Sequence, residues 1–313
     1  MPTKAVEDLL PKELPADIDK VLEDLSTIIK EVVSYGTHVL CWCANSGITG
    51  NEHAPLLLSF RHVLELLDAI SVLIRKSCFE PTKLILRSIF ETLLNMEYLL
   101  QSDFECRSRD FLYFHALQQK KSLQSILDYK KSQIQYIKNP IILKNLSTTF
   151  IKKVEREIGI FEKELDRPYI AESKKEYAAY KKKFRSNPGY WFSLRGGPHS
   201  ISDLAEKLNK KERYIILYKE WSQLTHGTGV FQRKFQKAAD GGTYFIQLRL
   251  PSDNDIIPSL SISFGLDAIR LLIGKYLPHK FSDMTRWYDA EIRSKYLALS
   301  EKKPIVIADS ELE

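Results

Sequence analysis

Cysteine is scarce in this chain, and what there is does not form a metal knuckle. Cys41, Cys43, Cys78 and Cys106 are the four cysteines in 313 residues, and none pairs as Cys-x-x-Cys. That spacing argues against structural zinc and against a disulfide-stapled scaffold. They read as reduced thiols, with Cys41-Trp42-Cys43 as packing residues inside an apolar run. Phosphate-cradling glycine loops are also missing, because Arg195-Gly196-Gly197-Pro198 lacks the lysine and serine spacing of a nucleotide-binding loop. No Gly-x-Ser-x-Gly elbow occurs, which argues against esterases and related hydrolases. No segment approaches the uninterrupted apolar length of a membrane span, and the charged N-terminus lacks a signal peptide's hydrophobic region. A cytoplasmic protein with no membrane partner, no cofactor and no metal is expected.

What is present is an ordinary globular composition, 44% hydrophobic and 27% charged, with an uneven charge distribution. Residues 120–185 hold 17 Lys or Arg against 8 Asp or Glu, a local excess of +9 where the whole chain carries +6. Lys120, Lys121, Lys130 and Lys131 belong to this stretch, with tyrosines interleaved, and such a surface could attract the phosphates of RNA. The solvated faces of long helices produce the same count.

The hydrophobic pattern is helical almost throughout. One amphipathic helix is expected over residues 16–36, with Gly36 as its stop, and another from Pro55 to Ser77. Residues 82–100, preceded by Pro81, are apolar nearly all round and predict a central helix. Asp103 opens a further helix. Breaks near Asn139-Pro140 and Arg167-Pro168 divide the lysine-rich segment, and Asn187-Pro188-Gly189 reads as a linker. Ser200 or Ser202 caps a short helix. A strand is expected over Thr243–Leu250, in a hairpin with residues 255–257, before a final helical pair. The expected fold is therefore mainly all-α, a multi-helix bundle with one small β-hairpin near residues 243–257. Its anticipated organisation is an N-terminal helix and irregular segment (1–52), a helical domain (53–298) with a basic helical insertion at about 120–186, and a flexible tail (299–313).

Two constellations could carry chemistry. Arg87 and Glu91 lie four apart on the most apolar helix, where each can neutralise the other. Downstream, Tyr218, Ser222 and His226 recur at steps of four, and His226-Gly227 ends the pattern as a helix terminus does. Glu91 beside His226 could form an acid/base pair, with Tyr218 and Ser222 lining it, or the group could be a structural polar network. The second constellation is Arg109-Asp110-Phe111-Leu112-Tyr113-Phe114-His115. A neutral histidine there could take the proton from a ribose 2′-hydroxyl while the arginine stabilises charge on the phosphate. On a straight helix the two side chains are rotated about 120° apart, which sets them on different faces.

Arg87-Ser88-Ile89-Phe90-Glu91, the aromatic and basic helix that follows, and Tyr218-x-x-x-Ser222-x-x-x-His226-Gly227 together resemble a bacterial helical domain of unknown function, family five-six-seven-seven. The resemblance covers roughly residues 55–275. It implies kinship with the HEPN superfamily, helical proteins that include RNA-cleaving toxins and antiviral defence effectors. The Arg109/His115 spacing is similar to the signature of that superfamily. The resemblance further implies RNA as substrate, a metal-independent ribonuclease and a homodimer. The alternative is a non-enzymatic interaction module, a dimer or a binder of a partner encoded nearby, in which Arg87, Glu91 and His226 are structural.

Overall fold

Residues 16–44 form helix α1 in a computed structural model that describes residues 6–7, 9–134, 140–221, 235–237, 242–251 and 256–301. Contrary to expectation α1 does not stop at Gly36. A helix tolerates glycine at a cost of about 1 kcal/mol relative to alanine, and here the missing side chain has a use. A β-carbon at Gly36 would lie 2.4 Å from Cδ2 of Leu64 on helix α2 (Ala54–Arg75). Tertiary packing thus keeps the helix running through a residue that locally favours an end. The extension also separates Cys41 from Cys43, since residues two apart on a helix point to different faces. Cys43 is fully buried, and burial pushes its thiol up to about 11, whereas Cys41 is exposed and is not the packing residue expected of it.

Helix α3 (Phe79–Gln101) starts with Pro81 in its first turn, where a proline costs no hydrogen bond. It buries Leu86, Ile89, Phe90, Leu93, Leu94, Met96 and Leu99, as its all-round apolar pattern predicts, although Leu84 remains exposed. The chain divides into two compact units, and α3 belongs to the first, which comprises residues 1–49, 56–100 and 205–313. Among the described residues this unit also holds α1, nearly all of α2, α8 (Lys211–Tyr214), which runs on into a π-helical segment (Ile215–Glu220), α9 (Ile256–Tyr276), α10 (Phe281–Trp287) and α11 (Ser294–Glu301). A second π-helical segment, Tyr288–Arg293, joins α10 to α11.

The main packing within this unit sets α1 against α9. Gly265 of α9 allows the approach: a β-carbon there would stand 2.5 Å from Cγ1 of Val32 and 3.1 Å from Cδ1 of Leu67. Around that contact, Phe90 and Phe264 pack with ring centroids 6.1 Å apart, and Ser26 Oγ donates to the Ser71 carbonyl at 2.9 Å. In the same turns of α1, Tyr35 stacks on Trp287 at 3.9 Å, and Trp287 Nε1 donates to Glu31 at 3.0 Å. Helix α9 has the length and mean hydropathy (1.7) of a membrane crossing, although serine, glycine, Asp267 and Arg270 interrupt its apolar run. Of that apolar window 61% is buried inside the protein, as it is for a core helix.

The β-hairpin is displaced from its expected place. Strand β2 covers only Thr243–Phe245, and its antiparallel partner is β1 (Phe235–Lys237) upstream, with Phe235 opposite Phe245. Ile256 and Ile257, expected to pair with it, instead open α9, because Pro258 is compatible with a first helical turn.

The second unit consists of residues 50–55 and 101–204. Helix α4 (Phe104–Ile134) packs on α5 (Pro140–Leu165) through Leu127, Val154 and Ile158. Nearer its start, α4 packs on α6 (Ala171–Phe184) and on a 3-10 segment (Trp191–Gly196), burying Tyr113, Ile170, Tyr177 and Leu194. Tyr169 joins this cluster with its hydroxyl bonded to Glu164. Burial, reinforced by that carboxylate, pushes the phenol up to about 12. Helix α7 (Ile201–Lys207), capped by Ser200 Oγ at 3.1 Å from the Asp203 amide, carries the chain back to the first unit.

Substituting Gly265→Ala should lower stability by about 1–3 kcal/mol through overpacking. Val32→Ala in that background should restore part of the loss, read as a melting-temperature cycle; strict additivity would refute the close approach. Thiol labelling at pH 8 should modify Cys41 readily and Cys43 only after denaturation, as followed by peptide mass.

Candidate functional site

Arg87 and Glu91 face each other one turn apart on α3, with Arg87 Nε 3.2 Å from Glu91 Oε1. Arg87 is mostly covered, its side chain 15% exposed, and Glu91 is about one-third exposed. Glu91 is held from its backbone side as well, because Asn95 Nδ2 donates to its carbonyl at 2.7 Å. The guanidinium of Arg87 lies 3.8 Å from the centroid of the Tyr218 ring. Tyr218 in turn stacks on Tyr214 at 4.8 Å. A planar cation between a carboxylate and an aromatic face is a geometry suited to arginine and not to lysine.

Tyr218 is delivered by the π-helical segment, whose wider turns carry its side chain out of a 3.6-residue register. Neighbouring contacts dock this segment and α8 onto α3 and α9. Lys210 Nζ meets Glu97 at 2.8 Å, Arg213 meets Asp267 at 3.0 Å, and Lys207 lies over Tyr98 at 5.3 Å. The structure therefore brings Arg87, Glu91 and Tyr218 together. Ser222 and His226 lie outside the described residues.

Arg109 and His115 occupy α4 in the second unit, and their six-residue offset sets them about 120° apart around it. Arg109 is tied to its own helix, with Nη2 3.2 Å from Glu105 Oε2 and Nε donating to the Glu105 carbonyl at 3.1 Å. His115 is exposed. The residue between them in the motif has a different role. Asp110 is buried, its side chain only 4% exposed, and receives a two-pronged contact from Arg195: Nε to Oδ2 at 2.8 Å and Nη2 to Oδ1 at 3.3 Å. Glu176 stands 3.8 Å from the same guanidinium. The Asp110 hydrogen bond holds Arg195 above its usual value against the opposing effect of partial burial. Nearby, burial and then the Asp110 charge push the Cys106 thiol up, so it is no activated nucleophile.

The Asp110–Arg195 pair was missed from sequence, since its partners are 85 residues apart. A signal exists in hindsight: Arg195 and Gly196 both take positive φ (55° and 72°), so Arg195-Gly196-Gly197 is a turn built to aim a guanidinium.

Of the lysines read as phosphate contacts, Lys120 pairs with Glu162 at 2.9 Å, and Lys121 donates to the Tyr177 hydroxyl at 3.1 Å. Lys130 lies 5.9 Å over Phe150, and the side chain of Lys131 lies outside the described residues. Among the described residues no group of three or more His, Cys, Asp or Glu side chains is placed to hold a metal ion.

These elements define a mainly α-helical protein with a part-buried arginine–glutamate–tyrosine cluster on its central helix. The model of the family of unknown function DUF5677 matches residues 53–242, and the chain belongs to that family. No curated protein and no solved structure matches it.

Asp110→Asn should cost roughly 2–4 kcal/mol, because it leaves the Arg195 cation beside a buried neutral group. Arg109→Ala, one residue away, should cost less than about 0.5 kcal/mol, as an exposed intrahelical pair does. Chemical denaturation of the two variants checks the contrast, and equal losses would overturn it.

Proposed function

We propose that the protein is a HEPN-like handler of RNA whose reaction centre is Arg87, held by Glu91 and Tyr218, with Ser222 and His226 as the further residues that the family pattern names. The observation that carries this reading is the 3.8 Å stack of Arg87 on Tyr218, which joins the two halves of the family pattern across 130 intervening residues. In such a site His226, as a neutral imidazole, accepts the proton of a ribose 2′-hydroxyl. The 2′-oxygen bonds to phosphorus as the bond to the leaving 5′-oxygen breaks. Arg87 stabilises the charge that builds on the phosphate oxygens, so no metal is required. Glu91 and Tyr218 hold the guanidinium in one orientation. The Arg109/His115 pair offers a second location for the same chemistry, but its two side chains diverge on one helix and would have to be combined across two copies.

A non-enzymatic interaction module has a specific observation in its favour: Arg87 is already neutralised by Glu91 and covered by Tyr218, as in a network that fixes helix docking. The two readings separate cleanly. Purified protein is incubated with end-labelled RNA in the presence of a chelator, alongside Arg87→Lys, His226→Ala, Arg109→Ala and His115→Ala. For the Arg87 centre, the first two variants should lose at least about 100-fold in cleavage with little change in melting temperature. Loss confined to Arg109→Ala and His115→Ala would move the site to α4. Absence of cleavage by the wild type, with a large drop in melting temperature for Arg87→Lys, would establish the interaction module instead.

A further inference from the structure

Some of the charges that stand out in the sequence are held within the second unit: Lys120 pairs with Glu162, and Lys121 donates to the Tyr177 hydroxyl. The end of α6 gathers cations and aromatic rings in one place. Lys181, Lys182, Lys183 and Arg185 are all exposed, and among the described residues none has a carboxylate within ion-pair distance. The unit to which they belong holds 20 Lys or Arg against 13 Asp or Glu in its sequence, a net +7 where the whole chain carries +6.

Aromatic rings are set among these cations. Tyr180 and Phe184 pack at 4.5 Å, and Phe184 meets the His199 ring edge-on at 5.3 Å. A hydrogen bond of 3.1 Å between Tyr180 Oη and His199 Nδ1 orients the imidazole. Lys183 Nζ lies 5.1 Å from the Phe184 ring centroid, yet Phe184 remains 43% exposed, and His199 is exposed too. Tyr180 is the half-buried foot of the cluster, packed against the unit's core.

Lysines near a helix C-terminus stabilise it through the macrodipole, and one or two in the last turn would serve that purpose. Four cations in five residues exceed it. Arg185, moreover, is the C-cap in the left-handed region, φ 52°, where glycine carries no penalty and another residue costs about 1–2 kcal/mol. A guanidinium is thus presented at the end of α6 against backbone preference.

We propose that this end of α6, with His199, is a binding site for single-stranded RNA, an inference that rests on the RNA-handling reading above. Bases stack on the exposed rings of Phe184 and His199, and Lys181, Lys182 and Arg185 contact the phosphates, the combination that single-strand binders use. The rings decide the class of ligand. An RNA duplex hides its base faces, and an acidic peptide or anionic membrane would engage the cations alone.

The test measures binding of a fluorescent 12-nucleotide oligouridylate to the full chain by anisotropy at two salt concentrations. Duplex RNA, polyglutamate and phosphatidylserine vesicles serve as competitors. Phe184→Leu, at an exposed position, should weaken binding about 5- to 150-fold, the range of one base–aromatic stack, without changing the salt slope. Lys181→Gln with Lys182→Gln should weaken binding and reduce the slope by about 1.4, at about 0.7 for each phosphate that a lysine no longer neutralises. Wild-type affinity in Phe184→Leu, or competition by polyglutamate or vesicles equal to that by single strands, would overturn the site. Cleavage assayed on the same samples separates the two readings. Binding that responds to these variants without any cleavage sinks the nuclease and keeps the site, whereas cleavage with binding indifferent to them does the reverse.

Discussion

The first unit depends on the absence of a side chain at Gly265. That residue lets α9 approach α1 until Val32, a stiff β-branched residue, occupies the space a β-carbon would need. The contact joins positions more than two hundred residues apart and positions α9 to carry Phe264 to Phe90 and Asp267 to Arg213. Arg213 lies just before the segment that presents Tyr218, and Phe90 lies three residues after Arg87 on α3. The apolar contact and the polar cluster are thus linked through α9, although they share no residue.

Much of the helical framework was legible because periodicity is local. The central helix showed itself through its all-round apolar pattern and Pro81, and the short capped helix through Ser200. Features governed by distant residues were not legible. Gly36 reads as a stop until Leu64 is known to need its space. The hairpin partner of Thr243–Phe245 lies upstream, and no short-range rule distinguishes Phe235–Lys237 from the residues before Pro258. Neither π-helical segment could be expected, because a period of 3.6 is assumed in reading any helix. Within the candidate site, Arg87 and Glu91 were readable as an i,i+4 pair, and the stack on Tyr218 only as a shared family pattern. Asp110 was not legible either: it stands beside Arg109 in the run to His115, and only its distant partner Arg195 makes it a structural anchor.

Three arginines with separate environments therefore divide the work. Arg195 meets a buried carboxylate and holds a turn, and Arg109 is paired along its own helix at the surface. Arg87 is clamped between a carboxylate and a ring, with its orientation fixed. Preorganised charge of the last kind suits a changing anion best, because little reorganisation is needed as the charge develops.

The chain order of the second unit has its own consequence. It leaves the first unit after Leu100, at the end of the central helix, and returns within α7, so almost all of its length is one uninterrupted excursion. A change of length or charge within such an excursion interrupts none of α1, α3 and α9. A change in this unit therefore alters the surface it presents while the contacts among Arg87, Glu91 and Tyr218, all made within the first unit, are built from other residues.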